Sequence, residues 1–432
     1  MPRRLDARSA DFERDFCRLL ADREGAVEDV AGAVAAIIAE VRQRGDQALI
    51  ELTLRFDRLE LTQERFRIGE AEIEAALATV PKHQLAALDL AARRIEAFHR
   101  RQLPADLRYR DEDGVDLAMR WHPLDSVGLY VPGGLAAYPS SVLMNALPAR
   151  VAGVERVAMT VPTPEGRLNP LVLAAARRAG IREIYRLGGA QAVAALAYGT
   201  ETIRPVDKIV GPGNIYVATA KRQVFGHVGI DAFAGPSEIV VIADRNNDPG
   251  WIAADLLSQA EHDPTAQAIL ITDDTTFAEA VAAAAERHLG RLERAPIAGA
   301  SWRDHGAVII VDRIEAAVTL INRLAPEHLE LAIDDPEAVA RQVKHAGAIF
   351  LGRHTPEAVG DYVAGPNHVL PTSRTARFSS GLGVLDFMKR TTLVGCDVGA
   401  LSRIGPAAVT LAEAEGLGAH ALSVALRLGP QK

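Results

Sequence analysis

The sequence predicts an α/β protein built from two Rossmann-like parallel-sheet domains, with a helical N-terminal region and a small C-terminal extension. Three observations predict it. The chain has 432 residues, 48% of them hydrophobic, and single cores stop growing near ~250–300 residues, so two or more domains are expected. Beyond Val115 short apolar runs alternate with helix-length periodic segments, the pattern of parallel strands joined by crossover helices. A second run of the same kind starts at Glu238.

Residues 1 to about 105 carry helical periodicity and little strand signal. Segment 29–42 is amphipathic and stops before Gly45, a suitable C-cap. Segments 70–77 and 85–102 supply further helices. Strands follow at 126–131, 157–161, 184–187 and 208–210, with helices expected over 169–179 and 190–197. The second run places strands at 238–243, 268–272, 306–311 and 348–352, with helices over 249–261 and 277–288. The resulting boundaries are a helical region over 1–125, a first α/β domain over 126–236, a second over 237–380, and a mainly helical tail over 381–432.

Composition excludes several classes of function. A formal net charge of −8 and basic pairs (Arg93-Arg94, Arg100-Arg101) interleaved with acids argue against a nucleic-acid surface. Two distant cysteines, Cys17 and Cys396, exclude a disulfide framework and fit a reducing, cytoplasmic compartment. The N-terminus lacks the apolar stretch of a signal peptide. Segment 126–149 has no charged residue, but Pro132, Pro139 and Pro148 interrupt it, so a glycine-rich loop and a helix are expected rather than a membrane span.

Gln259 and His262 lie three apart in a helical segment, spacing that can aim a carbonyl oxygen and an imidazole at one metal. An ordinary polar helix end explains the same residues. Glu327 and His328 adjoin near an expected helix start, where they can serve as a general acid–base pair or cap the helix. Asp361 and His368 lie in a loop rich in glycine and proline. Glu415 and His420 flank two glycines near the C-terminus. The dinucleotide fingerprint is missing: Gly211-Pro-Gly-Asn-Ile-Tyr216 begins like it but lacks the third glycine.

The run Ile230-Asp-Ala-Phe-Ala-Gly-Pro-Ser-Glu238, continued by Ser258-Gln-Ala-Glu-His262, resembles the signature of the histidinol dehydrogenase family. Tyr130-Val-Pro-Gly-Gly134, Gly189-Ala-Gln191, Gly211-Pro-Gly-Asn214, Ala325-Pro-Glu-His-Leu-Glu330 and Phe378-Ser-Ser-Gly-Leu382 match it as well. The resemblance spans nearly the whole chain. Leu135 and Ser373-Arg374 depart from commoner family residues, none at a chemical position.

The resemblance implies a zinc-dependent, NAD-linked, four-electron oxidation of L-histidinol to L-histidine through histidinaldehyde. Gln259, His262, Asp361 and His420 match the family's zinc ligands, one ion per subunit. His328 matches the base for the alcohol step, and Glu327 the group that activates water. Ser237, His368 and Glu415, with the ligands and His328, match substrate contacts; Tyr130, Gln191 and Asn214 match cofactor contacts. An intertwined homodimer is implied, its C-terminal segment completing the partner's site. The nearest rival is a dehydrogenase of the same family acting on another small amino or sulfonated alcohol. A zinc hydrolase, with Glu327 activating water and no hydride moving, is the rival from another class.

Overall fold

A computed structural model of the chain describes residues 1–22, 30–133, 138–232 and 235–429. Asp29 of the expected first helix, Leu135 and the signature residues Phe233-Ala234 lie outside the described residues.

Two parallel sheets form the centre of the molecule, as the alternating pattern predicts. The first has five strands in the spatial order Glu183–Tyr185, Arg156–Thr160, Ser126–Tyr130, Lys208–Val210, Gly229–Ile230. All its pairings are parallel. The second has six, in the order Arg3–Asp6, Ala307–Ile310, Gln267–Thr272, Glu238–Ala243, His328–Ala332, Ala348–Leu351, again all parallel. Numbered within each run, five strands of both sheets share the order 3-2-1-4-5. The order reverses beside strand 1, and in such sheets that crevice at the carboxyl ends is where ligands bind.

The central strands read as continuous apolar runs because both of their faces are covered. Glu238–Ala243 and Gln267–Thr272 are buried at every residue. On one side of the second sheet lie Ile252, Leu256, Phe277, Val281 and Trp302; on the other lie Leu320, Ile321 and Leu324 with Phe16 and Leu19. The first sheet packs against helix Pro139–Ala152 and against N-terminal helices, through Ile73, Leu88 and Ile95 on one face and Val34, Ile38 and Leu49 on the other. No helix among the described residues is long and apolar enough to cross a membrane.

Three departures from the sequence reading have non-local causes. Arg3–Asp6 is an edge strand of the second sheet, pairing with Ala307–Ile310, and helix Phe12–Ala21 packs on that sheet. A four-residue strand that begins with two arginines has no periodicity to announce it. The tail is not wholly helical: Met388–Gly395 pairs antiparallel with Asp116–Pro123, which also pairs with Leu107–Arg110. Thirdly, Pro326-Glu-His328 is not a helix start. Helix Ala317–Leu324 ends there, Ala325 takes the left-handed region at φ 46°, and His328 opens a strand between Ile239 and Ala348. Pro326 cannot donate to a helix, and the following Leu-Glu-Leu-Ala enters the sheet.

Candidate active site

The catalytic candidates gather at the amino ends of two neighbouring strands of the second sheet, Glu238–Ala243 and His328–Ala332. Glu327 and His328 are 6% and 4% exposed. The amide of Glu238 donates to Glu327 Oε2 (2.9 Å), and the amide of Glu327 donates to Glu238 Oε2 (3.4 Å). A further amide, from Ser373, donates to Glu238 Oε1 at 2.9 Å. The backbone of Glu327 is approached closely by Gly347, where a Cβ would stand 2.5 Å from the Glu327 carbonyl oxygen. Only glycine allows the neighbouring strand that near.

His328 Nδ1 lies 2.9 Å from the carbonyl oxygen of Glu238. That oxygen can only accept, so Nδ1 carries the proton and Nε2 presents its lone pair. Nε2 is buried without a hydrogen-bond partner, with Glu357 Oε1 3.5 Å away. Burial pushes His328 down to about 4, against the pull of Asp361, so its imidazole is neutral near pH 7.

Asp361 is the hub beside this pair. His262 Nε2 is 4.0 Å from its Oδ2, and His368 Nδ1 is 3.6 Å from its Oδ1 and 3.0 Å from its carbonyl. Burial lowers His368 while Asp361 opposes the shift. Helix Pro249–Ala260 delivers Gln259 on its last turn, with His262 just beyond its end. Gln259 is 1% exposed and its Oε1 has no partner. Ser258, one residue earlier, hydrogen-bonds Glu357 at 3.5 Å.

A buried carbonyl oxygen left unpaired costs roughly 1–3 kcal/mol unless something fills the position. A zinc ion would take such an orphaned oxygen, and with His262 Nε2 4.0 Å from Asp361 Oδ2 the donor set of Gln259, His262 and Asp361 fits the metal's chemistry. His328, Glu357 and Asp361 also bring one ligand atom each within 4.8 Å of one another. Burial and the neighbouring Asp361 raise Glu357 above the usual carboxylate range.

Behind the site Glu330 is raised by burial and by the facing Asp255, itself raised by burial. Folded Glu330 holds its proton more tightly than unfolded Glu330. The stability it contributes is therefore full below pH 4.5, the ordinary glutamate value, and is lost as pH climbs through the raised one. Glu330→Gln, which stays neutral, is expected to remove much of the alkaline loss, by roughly 1–3 kcal/mol. Urea titrations at pH 6 and pH 10 check this, and an unchanged difference between the two pH values would contradict it.

The cofactor candidates lie at the carboxyl edge of the first sheet. Tyr130 ends strand 1 there; its side chain is buried and its hydroxyl accepts from the Gly189 amide at 3.1 Å. Gln191 is buried in the first turn of helix Gly189–Tyr198. Asn214 caps helix Ile215–Val224, accepting from the amides of Tyr216 and Val217. A Cβ on Gly211 would stand 2.1 Å from the Tyr130 carbonyl oxygen, so the turn lies flat against strand 1. This close-set turn at the switch point fits a dinucleotide without the usual fingerprint.

Comparison with known proteins decides the family. The histidinol dehydrogenase profile matches residues 20–428. The histidinol dehydrogenase of Rhodospirillum rubrum is 65% identical over 99% of both chains, and that of Gluconobacter oxydans 63% identical over 99% of both.

The chain belongs to the histidinol dehydrogenase family.

A crystal structure of histidinol dehydrogenase from Elizabethkingia anophelis superposes with a TM-score of 0.94 at 37% identity, covering 99% of this chain and 98% of that one. Like its family, the protein is an NAD-dependent oxidoreductase of histidine biosynthesis, with zinc and NAD as its cofactors. Within this family member, Glu327, His328, His262, Asp361 and His368 share one cluster, and Ser237 adjoins Glu238. Glu415 and His420 stand apart: Glu415 follows helix Val398–Ala414 and His420 lies in helix Gly418–Leu428, both are exposed, and neither side chain has a partner among the described residues. Sequence reasoning missed Glu238 and Glu357 as members of the site. For Glu357 a signal existed, the i, i+4 spacing to Asp361 in helix Glu357–Tyr362.

Proposed function

We propose that the chain oxidises L-histidinol through an enzyme-held histidinaldehyde to L-histidine. The observation that carries this reading is His328, buried, neutral and tautomerically fixed, its Nδ1 3.6 Å from Glu327 Oε2 and its Nε2 without a hydrogen-bond partner. In the alcohol step Nε2 accepts the hydroxyl proton. In the aldehyde step the Glu327 carboxylate, held by the Glu238 amide, takes a proton from the water that attacks the carbonyl carbon. The Glu238 carbonyl keeps its hydrogen bond to Nδ1 and stabilises the imidazolium that forms in between.

Gln259, His262 and Asp361, with His420 of a second chain, would hold zinc, which when bound orients substrate through its amino and imidazole nitrogens. NAD supplies the hydride acceptor, twice per turnover, and would lie along Tyr130, Gln191 and Asn214. Ser237, His368 and Glu415 would complete the substrate pocket. In this reading residues 126–236 hold the cofactor, 237–380 the zinc and the catalytic pair, and 381–432 serve the partner in an intertwined, cytoplasmic homodimer. Val398, Leu411, Leu422 and Leu426, all more than half exposed in the single chain, support the partnered assembly.

Two measurements test it. NADH should form from histidinol, two per histidine released, and far more slowly from other small amino or sulfonated alcohols. Equal rates on an alcohol without imidazole would overturn the substrate. Chelation should abolish turnover and leave the far-ultraviolet circular dichroism in place, because Gln259, His262 and Asp361 sit at or just beyond the ends of helices Pro249–Ala260 and Glu357–Tyr362, outside the apolar cores. Unfolding on chelation would make the metal structural instead.

A further inference from the structure

Lys221 and Asp231 form an ion pair buried in the first domain, their side chains 3% and 4% exposed. Neither residue belongs to the catalytic cluster. Both charges are directed at the backbone of a single residue, Gly211: Asp231 Oδ2 accepts from its amide at 2.7 Å, and Lys221 Nζ donates to its carbonyl at 3.0 Å. The second oxygen of Asp231 accepts from the Ala232 amide at 2.7 Å.

Gly211 is also the residue that lies against Tyr130, at φ +112°, a conformation side chains rarely adopt. Its peptide is thus gripped from both sides, by the ion pair and by strand 1. Pro212 follows with a fixed φ, and Asn214 closes the turn through its two cap hydrogen bonds. Gly211, Pro212 and Asn214 thus each have a separate restraint.

We infer that the Lys221–Asp231 pair is a positioning device for the dinucleotide, holding the Gly211–Asn214 turn in its binding shape before the ligand arrives. A buried ion pair is a poor source of stability, since well-packed apolar residues in its place are often neutral or stabilising. What an apolar pair cannot do is hold an amide and a carbonyl in one orientation. A preordered loop leaves less conformational entropy to lose on binding, which appears as affinity. In sequence Asp231 is seven residues before Glu238, whose backbone amide and carbonyl contact Glu327 and His328.

The inference rests on the assignment of the first sheet to NAD, and the experiment separates the two. NADH affinity is measured by fluorescence titration, beside thermal midpoint and zinc content, for wild type and for the double variant Lys221→Met/Asp231→Leu. Removing both charges leaves no unpaired charge in the core, although it frees the amide and carbonyl of Gly211 and the amide of Ala232. The thermal midpoint is expected to fall somewhat, because the Gly211 and Ala232 backbone groups lose their partners, with zinc content near wild type, while NADH binding to the folded protein weakens about tenfold or more from lost preorganisation. In steady state KM for NAD should rise more than kcat falls. A folded double variant that binds NADH as wild type does would overturn the inference and make the pair merely structural. Should the double variant fail to fold, Lys221→Arg and Lys221→Gln carry the same question. Arginine should bind NADH near the wild-type level and glutamine about tenfold more weakly; equal affinities would overturn the clamp. Wild type that binds no NADH would instead overturn the assignment of the first sheet.

Discussion

His328→Asn is expected to slow the alcohol step by roughly 10²–10⁴, the span a general base commonly supplies. Asparagine can place an amide nitrogen near the position of Nδ1, so the donation to the Glu238 carbonyl can persist. The lone pair at Nε2 goes, and with it the acceptor for the hydroxyl proton. Glu327→Gln removes the carboxylate while its carbonyl can still accept from the Glu238 amide. Its larger loss is expected in the aldehyde step, where water must be activated. Supplying histidinaldehyde directly isolates that step from the first. If each variant lost equally in both half-reactions, the division of labour would fail, although the site would stand.

Mixing two inactive variants is expected to restore about a quarter of wild-type activity. Glu327→Ala should lack the water-activating group, and His420→Ala a zinc ligand. Should His420 serve the partner's site, a mixed dimer collects both lesions in one site and none in the other. Random reassembly makes about half the dimers mixed, each with one intact site of two, hence about a quarter. The motivating observation is that His420 and Glu415 are exposed and without a side-chain partner among the described residues, while His262 and Asp361 approach each other without them and Gln259 Oε1 is left unpaired. Activity that stays at the level of the separate variants, after verified subunit exchange, would mean that every site draws on one chain.

Much of the site was legible because its residue types are chemically conspicuous. Gln259 and His262 at helical spacing, the adjoining Glu327-His328 and Asp361 each suggested chemistry from the residues themselves, although Asp361, expected in a loop, lies in the short helix Glu357–Tyr362. Their convergence was not legible, because it depends on pairings between segments far apart in the chain. His328 has its tautomer fixed and its Nε2 lone pair left available because Ile239 lies beside it in register and the Glu238 carbonyl meets Nδ1. In sequence those residues are 90 apart.

The sequence by itself determined the α/β class, the order of the strands along the chain and the family, since these follow from periodicity, breaker residues and motifs read locally. Tertiary structure decided which strands are neighbours, including the N-terminal edge strand and the antiparallel pairing of Met388–Gly395. It also decided that Pro326-Glu-His328 leads into a strand and not a helix, and that a buried lysine and aspartate grip Gly211. The physical reason is common to all four. Local propensity is summed over a few residues, whereas register, burial and the shift of His328 down to about 4 arise only when distant segments exclude water together.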